Sequence, residues 1–480
     1  MIDAEQPTPR DTPPEVPPAE MDALPPFRDE DDGNITRAFF EATREAIEAE
    51  DAERVRTLAG DLHEADLGSL IEALPAPERT RLITLLGPEF DFAALTEVDD
   101  TIRLGILEGL STEAVVEGMR DLEIDDAVHI LEDLEDEDKF EILQRLPAME
   151  RVALQRSLDL PEDSAGRRMQ TEFIAVPPFW SIGQTIDFMR EAQDLPDTFY
   201  EIFVVDPGVR LVGSVALDKI LRTQRKVKIS EIMIEAEHRI VATDPQEDAA
   251  RLFQRYNLVS AAVVDDADRL VGVIMVDDIV DVMEEEADAD IKALGGVKAD
   301  EELSDTVWYT VRSRFPWLFA NLITAGLAAS VIGLFEESIE KMVALAILMP
   351  IVASMGGNAG TQTMTVTVRA LATRSLNSNN VYRVIRREVM VGAINGLSFA
   401  VLLGIAVVFW FEVRDLGFVI GLALVTVLTC AAIGGILIPL TLNKLGADPA
   451  VSSGPFVTTV TDIVGFFSFL GIATLWFTML

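Results

Sequence analysis

Five apolar segments, at about 316–335, 342–372, 389–411, 416–442 and 449–480, fill the C-terminal third of this 480-residue chain. Each has the roughly 20 residues a helix needs to cross a bilayer, and in lipid a helix keeps its backbone hydrogen bonds within itself. An all-α transmembrane domain of five helices over 316–480 follows. Five crossings put the two ends of that domain on opposite sides. Arg312, Arg314, Arg369, Arg374, Arg383, Arg386, Arg387 and Lys444 fall at the ends that share a side with the preceding polypeptide, and only Lys341 and Arg414 fall on the other. Basic residues accumulate on the cytoplasmic side, so the N-terminal part is assigned to the cytoplasm.

The remainder of the chain is chemically unlike this. Of 81 acids and 39 bases, only eight and ten occur from Arg312 onward, which leaves 73 acids against 29 bases before it. Such a surface repels phosphate backbones, which argues against nucleic acid as a partner and makes cations the natural counter-charge. Adaptation to salt is a competing account of the acidity, but it does not explain why the acids cluster. The single cysteine, Cys430, lies in an apolar run and suits a reducing compartment. Residues 1–34, rich in Pro and acids, have no apolar core and read as a disordered tail without a secretory signal.

Two internal repeats organise the soluble part. The stretch from Leu62 resembles that from Leu122, with Leu62/Leu122, Asp66/Asp126, Leu70/Ile130, Glu72/Glu132 and Leu74/Leu134 in register at a spacing of 60. Apolar positions recur at helical intervals with short breaks, which predicts an acidic α-helical solenoid over 35–167. The second repeat pairs "IFVVDPGVRLVGSVALDKIL" (202–221) with "AAVVDDADRLVGVIMVDDIV" (261–280) at a spacing of 59. Each copy reads strand, turn, strand and helix start. With Gly213/Asp218 and Gly272/Asp277 in matching places, the pair resembles tandem α/β CBS modules over 168–285. CBS modules often bind adenine nucleotides, but the hydroxyl residue usual between that Gly and Asp is replaced by Ala216 and Met275, which argues against ATP as a ligand.

The second module runs into "DDIVDVMEEEADADIKALGGV", which as a helix aligns Asp278, Asp281, Glu285 and Asp288 on one face, with Asp277 and Glu284 beside them. Like charges at those spacings destabilise a helix by a few tenths of a kcal/mol per pair. A solvated acidic face would account for this stretch alone. The solenoid carries a second acidic run, with Asp125, Asp126, Glu132 and Asp133, and two such surfaces come together only when divalent cations bridge them. Residues 286–315 then read as a connecting helix. Its polar, aromatic and basic end, with Trp308, Tyr309, Arg312, Arg314 and Trp317, suits a helix lying at the membrane surface.

Within the membrane segments, Gly356, Gly357 and Gly360 predict a kink in the second span, where Asn358, Thr361, Gln362 and Thr365 add polar groups. Close helix packing is one reading and a hydrated path the other. The fifth span opens on Asp448-Pro449, an N-cap acid followed by Pro at the first helical position. Asp462 follows 13 residues later, roughly 20 Å into the hydrocarbon. An isolated acid there costs about 2.5–3.5 kcal/mol on insertion scales, so it must meet water, a partner or an ion. The other spans have no Lys, Arg or His at that depth, which makes a permeating cation the simplest partner, the alternative being a protonated structural acid. Gly454, Pro455, Thr458, Thr459 and Thr461 would line the same path. Mg²⁺ keeps several waters and binds through one or two carboxylates, so two symmetry-related copies of Asp462 suit it, and a homodimer is predicted.

Taken together, the acidic helical N domain, the paired CBS modules, the connecting helix, "MPIVASMGGNAGTQ" and "GPFVTTVTD" resemble the MgtE family of magnesium channels over nearly the whole chain after residue 35 or so. The resemblance implies Mg²⁺ uptake across the plasma membrane and no enzymatic reaction. It implies Asp462 as the pore ion site and a connecting helix that plugs the pore. It also implies intracellular Mg²⁺ held between Asp125 and Asp126 of the N domain and Asp277, Asp278, Asp281, Glu284, Glu285 and Asp288. A cation-coupled secondary transporter and a membrane-anchored metal or nucleotide sensor stand as alternatives, although no inverted repeats are visible.

Overall fold

The structure, a computed structural model, describes residues 24–29 and 33–479 apart from 133, 193, 194, 197 and 378. It divides into two compact units, Met1–Ile279 and Val280–Leu480.

In the first unit nine short helices among the described residues form the solenoid: α1 (Arg37–Glu48), α2 (Ala52–Ala59), α3 (Glu64–Ala73), α4 (Ala76–Leu86), α5 (Asp100–Gly109), α6 (Thr112–Gly118), α7 (Ile124–Glu132), α8 (Asp136–Arg145) and α9 (Ala148–Leu158). The repeat read from the sequence is the pair α3–α4 and α7–α8. One continuous core runs through both, including Leu67, Leu70 and Ile71 of α3 and Val128, Ile130 and Leu131 of α7. Within the stretch read as tail, Phe27 packs edge-to-face on Phe39 at 5.0 Å, so order extends N-terminal of residue 35.

Each CBS module is a small α/β unit. The first comprises β1 (Ala175–Val176), α10 (Ile182–Glu191), β2 (Glu201–Val205), β3 (Leu211–Ala216), α11 (Leu217–Arg222), α12 (Ile229–Ile232) and β4 (Ile234–Glu235). The second comprises β5 (Ile240–Val241), α13 (Gln246–Tyr256), β6 (Ser260–Val264), β7 (Leu270–Met275) and the start of α14 (Val276–Leu294). In both sheets a parallel pair is followed by an antiparallel one. Both copies slip register at equivalent places, Val204/Val205 and Val263/Val264, so the sequence repeat extends to the irregularities.

The second unit holds the end of α14, then α15 (Val307–Gly333), α16 (Glu336–Lys341), α17 (Val343–Ala372), α18 (Val381–Phe411), α19 (Arg414–Lys444) and α20 (Pro449–Met479). Five of these are long and apolar enough to span a membrane. The most buried is α19, apolar on all sides as a central helix must be; Val419, Ile420, Ala423 and Val427 pack on Leu348 and Val352 of α17 and Phe469 and Leu470 of α20.

Two readings need correcting. The connecting segment is not one helix over 286–315. Helix α14 ends at Leu294, where Gly296 adopts φ +73° and the Val297 N–H donates to the Lys292 carbonyl, a glycine-dependent helix stop. The Trp317 ring lies over Gly296 so closely that a Cβ there would be 1.8 Å from Nε1. Trp308, Tyr309, Arg312 and Arg314 are not on a surface-lying helix; they form the first turns of the spanning helix α15. Nor is the second span kinked at its glycines, since α17 runs unbroken through them.

Candidate cation sites

The acids of the soluble part converge on α7 and the first turn of α14. Asp125 is 8% exposed, and its Oδ1 is buried with no hydrogen-bond partner. Burial first, then the charges of Asp278 and Glu123, push its carboxyl well above the usual range. For the same reasons, burial and then Asp125, Asp126 is pushed up to about 8. Asp278, whose Oδ2 accepts from the Met275 N–H at 3.1 Å, is pushed by burial to about 7. Asp277 is exposed beside it. Asp281, Glu284, Glu285 and Asp288 are exposed on the part of α14 that belongs to the second unit. Ionised carboxylates crowded in this way repel strongly, so the arrangement requires protons or a cation among them.

Glu132, read as part of the same acidic run, is instead a paired anion. His129 Nδ1 lies 3.1 Å from one of its oxygens and Arg167 Nη1 3.3 Å from the other. Burial opposes ionisation, but these partners and Arg168 hold the carboxyl below the usual range. The other His129 nitrogen meets Arg103, a fully buried guanidinium that also donates to Asp100 at 2.6 Å. Asp133 lies outside the described residues. The last turn of α7 is thus electrostatically complete and its first turn is not. Sequence reading missed this network because His129, Arg103 and Arg167 are far apart in the chain.

Among the described residues no group of three or more His, Cys, Asp or Glu side chains is set close enough to enclose a bare metal ion. Carboxylate oxygens in ones and twos are donors suited to a cation that keeps its waters, as Mg²⁺ does.

In the membrane unit the Asp448 side chain caps α20, accepting from the Ala450 N–H at 2.8 Å as its sequence implies. Asp462 is half-buried on α20, one turn beyond the exposed Thr458. The Thr458 and Thr459 hydroxyls donate back to the Gly454 and Pro455 carbonyls at 3.0 and 2.5 Å. On α17, Asn358, Thr361, Gln362 and Thr365 are all exposed and lie on one face. Gly356 and Gly360 are buried; a Cβ on Gly360 would lie 2.9 Å from Val457 and 3.0 Å from Thr461, so these glycines set the close approach of α17 to α20. Gly357 faces open space. Close packing therefore holds on one side of the helix, and the exposed polar residues occupy the opposite side.

The end of α14 reaches these helices. Ala293, 7% exposed, packs with Met364 and Val368 of α17 and Ala450 and Val457 of α20. Asp290 lies 3.8 Å from Arg369. In the CBS modules, Ala216 and Met275 close β3 and β7 without a hydroxyl.

Residues 349–472 match a family model described as a divalent cation transporter, residues 62–163 one described as the MgtE intracellular N domain, and residues 229–285 one described as a CBS domain. The chain is 30% identical over 419 residues to the magnesium transporter MgtE of Bacillus subtilis, covering 87% of this chain and 93% of that protein. It is 31% identical over 439 residues to the magnesium transporter MgtE of Thermus thermophilus, covering 90% and 97%. The solved cytosolic domain of the Mg²⁺ channel MgtE in complex with ATP is 28% identical, with a TM-score of 0.48, and covers 51% of this chain and 99% of that one.

Proposed function

Because the chain belongs to the MgtE family of magnesium transporters, we propose that it carries Mg²⁺ across the plasma membrane as a homodimeric channel that internal Mg²⁺ closes. The observation that carries the pore assignment is the polar stripe of α17 set out to the exterior of a single chain, with Asp462 half-buried on the helix packed against it. Polar side chains facing lipid are unfavourable, and a second copy related by a two-fold axis would enclose them in water. Two Asp462 carboxylates would then meet a largely hydrated ion, with Asn358, Thr361, Gln362, Gly454, Pro455, Thr458 and Thr459 lining the approach.

Closure is proposed to begin at Asp125, Asp126 and Asp278. Mg²⁺ relieves their repulsion, which fixes α7 against the second CBS module. When Mg²⁺ falls, the carboxylates separate and the start of α14 moves with Asp278. Since α14 is continuous from Val276 to Leu294, its movement loosens Ala293 from the pore helices. Mg²⁺ acts only through its higher affinity for the closed arrangement, so several weak sites must act together. Asp277, Asp281, Glu284, Glu285 and Asp288 would add to the local cation concentration.

Liposome flux tests this. Downhill Mg²⁺ uptake without a second gradient, abolished in Asp462→Ala, is the expected result. Uptake that requires a coupled gradient would point to secondary transport, and absence of flux to a sensor.

A further inference from the structure

The ion path leaves one large concavity of the membrane unit unused, a groove of about 690 Å³ between α18 and α19. Its walls are Leu397, Val401, Ile405 and Phe409 on one side and Phe418 and Leu422 on the other, each more than half exposed in the single chain. The groove is open because the helices meet backbone to backbone beneath it. A Cβ on Gly404 would lie 3.0 Å from the Gly417 carbonyl, and one on Gly417 2.8 Å from that of Gly404. At one end stands Arg414, with Trp476 stacked on Phe418 at 6.4 Å. By the count of spans this end lies on the side opposite the N-terminal domains, and tryptophan marks the headgroup level. The Arg414 side chain is exposed there and has no hydrogen bond or ion pair among the described residues.

A cation at headgroup depth above an apolar slot reaching toward the bilayer centre has the two-part chemistry of a phospholipid. We propose that the groove holds one anionic phospholipid of that leaflet, its phosphate on the Arg414 guanidinium and one acyl chain between α18 and α19. Guanidinium pairs with phosphate oxygens through parallel N–H donors, and the ammonium of a zwitterionic headgroup would be repelled by the same charge. The glycines at 404 and 417 serve this site by keeping its floor free of side chains.

Native mass spectrometry of the full chain, purified in mild detergent with equal phosphatidylglycerol and phosphatidylcholine, tests the proposal. Preferential retention of phosphatidylglycerol is expected, and Arg414→Gln should lower it about fivefold, as one basic residue at a membrane surface would. Val401→Trp, which fills the slot, should lower retention of both lipids while the oligomer is unchanged; Leu422→Trp, from the opposite wall, gives the same readout should the first variant fail to fold. Equal retention by wild type and all variants overturns the site. Variants that instead separate the protomers also overturn it, because the groove would then be covered by a second copy.

Discussion

The acids of α7 and the first turn of α14, and the acid of α20, are placed in opposite ways. Asp125, Asp126 and Asp278 crowd one another, all with raised pKa values, and their arrangement depends on what sits among them. Asp462 stands one turn from hydroxyls that are already satisfied by their own helix, with no second acid near it in the chain. A crowd of carboxylates is sensitive to the loss of its counter-charge, as the proposed switch requires. A solitary carboxylate in a rigid helix attracts a cation and stays put, which suits a path.

The largest effect expected is on the solitary acid. Asp462→Asn keeps the shape and removes the charge, and should lower Mg²⁺ flux by roughly tenfold or more, equivalent to about 1.4 kcal/mol in barrier. Unchanged flux in liposomes would mean that Asp462 does not meet the permeating ion. Next, Ala293→Arg puts a charge among Met364, Val368, Ala450 and Val457 and should destabilise the closed state by on the order of 2 kcal/mol, read as uptake that no longer shuts off at high internal Mg²⁺. Asp125→Asn with Asp278→Asn should bring the faces together without Mg²⁺, so that limited proteolysis of the full chain becomes independent of the ion. Persistent Mg²⁺ protection would mean that other acids form the switch.

A pH series sharpens the same contrast. Without Mg²⁺, the raised values mean that the folded first unit binds more protons than the unfolded chain from the ordinary carboxylate value of 3.8 up to about 8. Its stability should therefore fall as pH rises through that window and level off above it, and Mg²⁺ should flatten the slope. Thermal unfolding in chelator that shows no slope would contradict the crowding. Smallest of all, Arg369→Gln removes a long, exposed pair with Asp290 and should shift closure by less than about 1 kcal/mol, in flux measured against internal Mg²⁺.

Much of this was legible in residue order. Repeats at spacings of 59 and 60 placed equivalent strands and helices correctly, because a repeated hydrophobic pattern must be buried in a repeated way. Asp448-Pro449 marked the start of α20, since capping is local chemistry. The break at 295–306 escaped because it depends on Gly296 meeting Trp317, 21 residues later. Glu132 looked like one more acid until Arg167 and His129 were seen beside it.

Sequence alone determined that five helices are long and apolar enough to cross a membrane, that an acidic soluble part precedes them, and that one acid lies within the last of them, because hydropathy and charge belong to each residue wherever it goes. Only the tertiary structure decided which acids are partnered and which are not. Electrostatic energy depends on distance and burial, and Asp125, Asp126 and Asp278, separated by some 150 positions in the chain, acquire their conflict only when folding removes water from between them.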